Sequence, residues 1–443
     1  MRNEKFDAII VGGGLAGLTA GLELATAKRR VLVLEAEKVV GGRTSSYCDE
    51  GMEIESGFHR FIGYYSVLPK VLEKADVNLD DLLMWEEKIH VRIKDKKPLI
   101  LGLSPVHGFF KMLKGIIGNS DYLSVKDKSS LIPFFISGFK DYLLNPEKLD
   151  QVSIKEYAKK HHVSDKAFHY LVVPLSSGIF FLPPDRYSAY VFFGLFAPAI
   201  PRFYKMRIGA FLGGMTEVMC QPIADKITSL GSSVRTRHKV GSLIYEKNKI
   251  KGVRLEDGQQ FQSKCVILAT TLFSARQLLQ PYFKDHEWFK PMFQLTHMPA
   301  VAFQMELTEP ALPMDITTFG PFTCWASFAE QSRTTFQKSK GRLSLILSPP
   351  EKYLERTPKE TMEIVLEEGK KIGIDLTGKV LDYRKVDHLY DFHNLEPGNQ
   401  ALRPEQKTPI KGLILAGDYT KQPYFATMES AAISGVKAAK LAR

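Results

Sequence analysis

Cysteine is scarce in this chain: four residues in 443, at positions 48, 220, 265 and 324, with neither a CxxC pair nor a Cys/His spacing. That excludes a disulfide framework and a zinc site, and no other metal site is suggested; a reducing compartment fits best. Long apolar runs are missing as well. The longest, AYVFFGLFAPAI from Ala189 to Ile200, is too short to span a bilayer and is interrupted by Gly194 and Pro198. No internal repeat, low-complexity tract or Pro/Ser-rich linker appears, so domains must be cut by pattern. A short polar start gives way to an apolar strand at Phe6, which leaves no room for a signal or transit peptide. The expected location is therefore cytoplasmic.

What is present is a large stock of core material, 44% apolar and 11% aromatic, enough for two or three cores. Lysine and arginine number 60 against 49 acids, an excess of 11. Such an excess serves nucleic acid, an anionic membrane or a plain basic surface. No nucleic-acid reading motif accompanies it, so nucleic acid is not expected as a partner.

The segment FDAIIVGGGLAGLTAGLELATAKRRVLVLEAE reads as strand, glycine turn, helix and strand. Phe6 to Val11 suits a parallel strand buried on both faces, and Val31 to Leu34 is the next one. Between them, Gly12 to Gly17 fits GxGxxG. Gly12 permits the tight turn, Gly14 lets the backbone approach a pyrophosphate, and Gly17 lets helix and strand close. Glu35, ending the second strand, is placed to accept from ribose hydroxyls. Downstream, Gly41-Gly42 allows another close backbone approach, and Arg43 puts a cation where an extended diphosphate would run.

The Glu…GlyGlyArg spacing resembles the flavin-binding signature of the superfamily of amine oxidases, protoporphyrinogen oxidase, phytoene-type desaturases and Rab GDP-dissociation inhibitors. The resemblance implies FAD. It implies contacts from Gly12, Gly14, Leu15, Ala16 and Gly17, then from Glu35, Ala36, Gly42, Arg43 and Thr44. Further along the chain it implies Gly57, Phe58, His59, Val240, Thr270, Gly417, Asp418, Thr427 and Met428. For Val240 an ordinary edge-strand valine is the competing reading, and for Asp418, expected at the ribityl or phosphate end, simple turn capping.

MEIESGFHRFIGYY, 52–65, is similar to the E/D-x-G-x-H-x-F-F-G-x-Y segment of plant- and cyanobacterial-type phytoene and ζ-carotene desaturases and squalene-associated desaturases, through Glu55, Gly57, His59, Phe61 and Gly63. His59 and Arg60 are candidate catalytic groups there, His59 equally a hydrogen-bonded structural residue. GIFFLPPDRYSAY resembles the NFINPDELS stretch of the same enzymes, and LEPGNQALRP…TPIKGLILAGDYTKQPYFATMESA resembles their C-terminal signature. Amine oxidases of the superfamily carry a Tyr before the Met-Glu pair as one wall of an amine cage. Here Thr427 stands there, with Ser430 in place of the usual glycine.

The expected fold is α/β. A discontinuous Rossmann-like FAD-binding domain of the GR2 flavoprotein type takes about 1–65, 206–285 and 405–443, with an inserted α+β substrate domain at 66–205 and 286–404. Small residues in the last helix, Ala431, Ala432, Ser434, Gly435, Ala438 and Ala439, are expected to pack it against the first glycine turn. The expected activity is FAD-dependent desaturation of a carotenoid or related isoprenoid, with quinone or dioxygen as electron acceptor. The alternatives are a flavin amine oxidase and a non-catalytic prenyl-lipid binding protein. Two segments are candidates for peripheral membrane contact. VHGFFKMLKGIIG, 106–118, has Phe109, Phe110, Met112, Leu113, Ile116 and Ile117 opposite Lys111 and Lys114, a pattern that serves equally for packing on its own domain. The other is AYVFFGLFAPAIPRFYKMR, 189–207, with its basic flank.

Overall fold

The computed structural model describes residues 5–86, 88–93, 97–102 and 122–443. The amphipathic segment 106–118 lies outside the described residues.

Five short strands form a parallel sheet in the order 233–235, 31–34, 8–11, 266–268, 413–415. Ile9 stands opposite Leu32 on one side and Val266 on the other, and Ile267 opposite Ile414. AIIV, VLVL, VIL and LIL are buried at every position because both faces of the sheet are covered. Alternate residues divide between two cores. Ala8, Ile10, Val31 and Val33 face the helices Leu15–Thr26, Gln221–Ser229 and Met428–Ala442. Ile9, Val11, Leu32 and Leu34 face an antiparallel meander of Val240–Glu246, Lys249–Leu255 and Gln260–Gln262. Val240 thus opens the meander, and the strand before it, Ser233–Arg235, belongs to the parallel sheet.

The C-terminal helix packs on the first helix from Ala16, inside the Gly12–Gly17 motif, onward to Thr19 and Ala20. A Cβ at Gly435 would meet the Ala16 carbonyl oxygen at 2.4 Å and Thr19 Cβ at 2.7 Å, so only glycine allows this approach.

A seven-stranded mixed sheet runs 380–393, 297–307, 341–347, 325–330, 318–319, 88–91, 99–102. Helix Pro358–Lys371 contributes Val365 to the core on one face. The helices Val125–Leu144, Ile154–Lys160, Val173–Phe180 and Ala189–Phe196 build a further, phenylalanine-rich core. A small sheet of 61–62, 208–211 and 83–86 ties this half to the first.

One expectation is corrected here. Val191, Phe192, Phe193 and Leu195 of the segment expected at a membrane are fully buried, with Phe193 packed on Phe134 at 5.2 Å between ring centres. In that segment the exposed large apolar residues are Ile200 and Tyr204.

Candidate active site

A cavity of about 820 Å³ begins at the glycine turn and ends among aromatic side chains of the helical half. Gly12 adopts φ +106°, and a Cβ there would lie 2.7 Å from the Ala269 carbonyl oxygen. At Gly17 a Cβ would lie 2.0 Å from the Gly12 carbonyl oxygen, so this glycine closes helix on turn and does not itself line the cavity. Gly14 is different: a Cβ there would meet nothing nearer than the Gly41 carbonyl oxygen at 3.8 Å. Gly14 and Gly42 face each other, with the Gly41 N–H donating to the Gly13 carbonyl at 2.9 Å. The two glycine segments form a cradle whose open side is the cavity, beside Leu15 and Ala16 at the positive end of a twelve-residue helix.

Glu35 holds this cradle in shape. Its Oε2 accepts from Gly13 N–H at 2.6 Å and its Oε1 from Glu37 N–H at 2.9 Å. Burial raises its pKa, opposed by those backbone N–H groups. A carboxylate oxygen has two lone pairs, so a ribose hydroxyl can still be accepted. Ala36, Val240 and Thr270 line the same end.

Arg43 and Asp418, 375 residues apart, form a bidentate pair at 3.0 and 2.5 Å. The guanidinium also lies over the Phe392 ring at 4.8 Å. Burial alone would raise the Asp418 carboxyl, but the Arg43 guanidinium holds it below the ordinary value. His393, wholly buried with neither ring nitrogen hydrogen-bonded, sits 3.7 Å from Asp418, and burial pushes its pKa down to about 3. Thr44 lines the cavity and donates its hydroxyl to the Gly41 carbonyl at 2.9 Å.

Further along the cavity come Gly57, Phe58, His59 and Arg60. His59 Nδ1 is buried without a hydrogen-bond partner, 3.9 Å from Glu55. Arg60 is held between two carboxylates, Glu86 at 2.7 Å and Asp315, and lies over the Phe58 ring at 4.5 Å. These contacts give Arg60 the work of a strut between the end of the strand Leu83–Glu86 and the loop that carries Asp315, with no cation left over for a reacting group. Facing this segment are Gly417, Thr427 and Met428. Thr427 caps the C-terminal helix, its hydroxyl accepting from Ser430 N–H at 3.1 Å while Ser430 Oγ accepts from Thr427 N–H at 3.1 Å. The serine that replaces glycine therefore completes a capping box.

Sequence reasoning missed three groups. Arg403, aligned but given no role, donates to the carbonyls of Asp418, Thr420 and Tyr424 at 2.9, 2.5 and 3.2 Å and so shapes the loop before the last helix. Glu429, fully buried, accepts from Ser66, Val67 and Leu68 backbone N–H at 2.7, 2.9 and 2.9 Å. The signal was an acid isolated in a helix of small residues. His388 and Asp391, joined at 2.6 Å, line the cavity from the strand 380–393 and carry no motif.

A cavity running from a glycine cradle at a helix N-terminus, past an arginine, to an aromatic arm defines a dinucleotide-dependent oxidoreductase. The chain belongs to the flavin-containing amine oxidoreductase family, whose model matches residues 15–442. It is 27% identical over 460 residues to the 15-cis-phytoene desaturase of Solanum lycopersicum, covering 98% of this chain and 76% of that protein. It is 25% identical over 457 residues to the 15-cis-phytoene desaturase of Synechococcus elongatus, covering 96% and 93%. A solved putrescine oxidase, a redesigned double mutant, shares the fold with a TM-score of 0.77 and 16% identity, over 99% of both chains. The protein is an FAD-dependent enzyme, and the glycine cradle with Arg43 at its edge fits that cofactor.

Proposed function

We propose that the protein desaturates a carotenoid or related isoprenoid. The observation carrying this reading is the continuity of the cavity, which leads from the cradle to an arm lined by Leu175, Ile179, Phe180, Phe181, Leu195 and Phe196. A hydrocarbon offers nothing to grip but area, and each CH₂ buried in such an arm contributes about 0.8 kcal/mol. FAD, when bound, supplies a two-electron acceptor for hydride from an allylic carbon, the neighbouring carbon losing a proton. The first helix and Arg43 would hold the diphosphate, Glu35 the ribose and Val240 the adenine. Gly57, Phe58, His59, Thr427 and Met428 would surround the ring end, where the helix N-terminus favours negative charge. With Thr427 committed to capping and Arg60 to its two acids, these residues position and exclude water, while His59, whose Nδ1 makes no hydrogen bond and lies 3.9 Å from Glu55, is the group placed to hold a proton. Quinone or dioxygen would take the electrons onward.

In this reading the parallel sheet and its meander form the Rossmann-like domain of 1–65, 206–285 and 405–443. The rest of the chain forms the substrate domain, at a membrane surface. Among the described residues no helix is long and apolar enough to cross a membrane. Helix Val125–Leu144 exposes Val125, Ile132, Ile136 and Leu143, spaced seven, four and seven residues apart along one stripe. Such a face supports peripheral attachment.

Anaerobic mixing tests the activity. The flavin absorbance is expected to bleach with a phytoene-type polyene and not with putrescine or other amines; bleaching by amines alone would overturn the proposal.

A further inference from the structure

A second concavity, of about 470 Å³, lies on the small sheet that joins the two halves. It shares only Tyr65 and Arg207 with the main cavity, and its walls carry four cations, Lys70, Arg202, Lys205 and Arg207, and no carboxylate. Among the described residues none of these four is in an ion pair, although the chain forms many elsewhere. Arg207 stacks over the Trp85 ring at 3.6 Å, and the Trp85 indole N–H is buried with no acceptor. The indole N–H is a donor only, and an anion would satisfy it.

The backbone beneath is fixed. Gly63 N–H donates to the Arg207 carbonyl at 2.8 Å, and a Cβ at Gly63 would lie 2.4 Å from the Lys205 carbonyl oxygen. Arg207 directly precedes the strand Ile208–Phe211, which pairs with both Phe61–Ile62 and Leu83–Glu86. Burial lowers the pKa of Arg207, and Asp80 only partly offsets this, so the site holds positive charge at a cost that a bound anion would repay.

We propose that this pocket binds a phosphate-bearing group. Two guanidinium forks and two ammonium groups around one concavity, with Trp85 and its unpartnered indole N–H among the residues that line it, match the oxygens of a phosphoester. Two sources share that chemistry, a membrane phospholipid headgroup and a soluble phosphoester. Ile200 and Tyr204, exposed on the segment that supplies Arg202 and Lys205, favour the headgroup. The proposal does not rest on desaturation or on the stripe of the helix 125–144.

The flavin-loaded protein and its K70Q/R202Q/K205Q variant would be titrated with glycerol 3-phosphate by calorimetry. Both would also be floated with phosphatidylcholine vesicles with and without phosphatidic acid. The variant is expected to lose binding by about a hundred-fold, since each of the three basic residues near an anionic surface contributes about five-fold. Capture by phosphatidic acid vesicles that glycerol 3-phosphate reverses identifies the headgroup. Binding of the soluble ester without vesicle preference identifies a soluble phosphoester and equally supports the pocket. Equal behaviour of wild type and a variant that keeps its flavin absorbance and melting temperature would overturn the proposal. Should the triple variant not fold, Lys205→Gln, at an exposed position, gives the same comparison with a smaller expected loss, and no loss there would likewise overturn it.

Discussion

The two ends of the main cavity are built by opposite means. At the cradle, buried ions hold the main chain: Glu35 grips Gly13, Arg403 gathers carbonyls of the 418–424 loop, and Glu429 ties Ser66–Leu68 to the last helix. Around the apolar arm, rings sit on glycines, Phe319 against Gly178 in its wall and, behind the lining residues Leu195 and Phe196, Phe425 against Gly194. Hydrogen bonds to charged groups have direction and leave a large desolvation cost when broken, whereas ring contacts are non-directional and adjust. The cradle therefore fits one invariant ligand, while the arm can take long chains that differ in detail.

The largest effect that would sharpen this contrast is at the Arg43–Asp418 pair. Arg43→Met leaves Asp418 buried without its partner and is expected to cost about 3–5 kcal/mol, read by denaturant unfolding, with loss of flavin on gel filtration. R43M/D418N should recover most of the stability without recovering flavin. If the double variant holds flavin as tightly as wild type, the pair is only a fold clamp. Behind the arm, Gly194→Ala would place a Cβ 2.3 Å from the Phe425 ring. Ring movement should limit the cost to about 1–3 kcal/mol. Flavin should be retained, and the loss should appear in turnover of the longest substrates. A cost equal to that of Arg43→Met would break the comparison.

The same contrast explains what could be read from the sequence. The cradle was legible because its requirements are local: a glycine that must take φ +106°, a glycine with no room for Cβ, and an acid at the end of the next strand. The capped helix after Gly417-Asp418 was legible for the same reason, as small residues spaced for close packing. The Arg60 network was not, because Glu86 and Asp315 come from segments 26 and 255 residues away, a pairing that no local pattern encodes. The burial of the 189–196 helix was misread because an apolar aromatic stretch looks alike whether it meets lipid or its own core. Its cover, Phe134 and Phe139, comes from a helix some fifty residues earlier.

The last prediction separates the two ends by pH, with an effect that is nil at neutral pH and accumulates one pH unit at a time. His393, beside Asp418, has its folded pKa lowered from 6.5 to about 3 by burial, with Arg403 and Arg43 adding to that against Asp418. Its stabilising contribution, that of a neutral buried ring, is complete above the unfolded value of 6.5. Between that value and about 3 the unfolded chain binds a proton that the folded chain refuses. Stability must then fall as pH falls, by up to about 1.4 kcal/mol per pH unit from this group. Other acids titrate in the same window, so the informative quantity is the difference from His393→Leu, which keeps the volume and cannot be protonated. Denaturant midpoints for the two proteins should diverge steadily as pH drops below 6.5, with the variant the less acid-sensitive. Gly194→Ala, which removes no titratable group, should run parallel to wild type. Parallel acid limbs for His393→Leu as well would mean that the ring is already solvated or charged in the fold. The cradle would then owe nothing to a neutral buried ring beside Asp418, and its hold on the main chain would rest on the Arg43–Asp418 pair together with Glu35, Arg403 and Glu429.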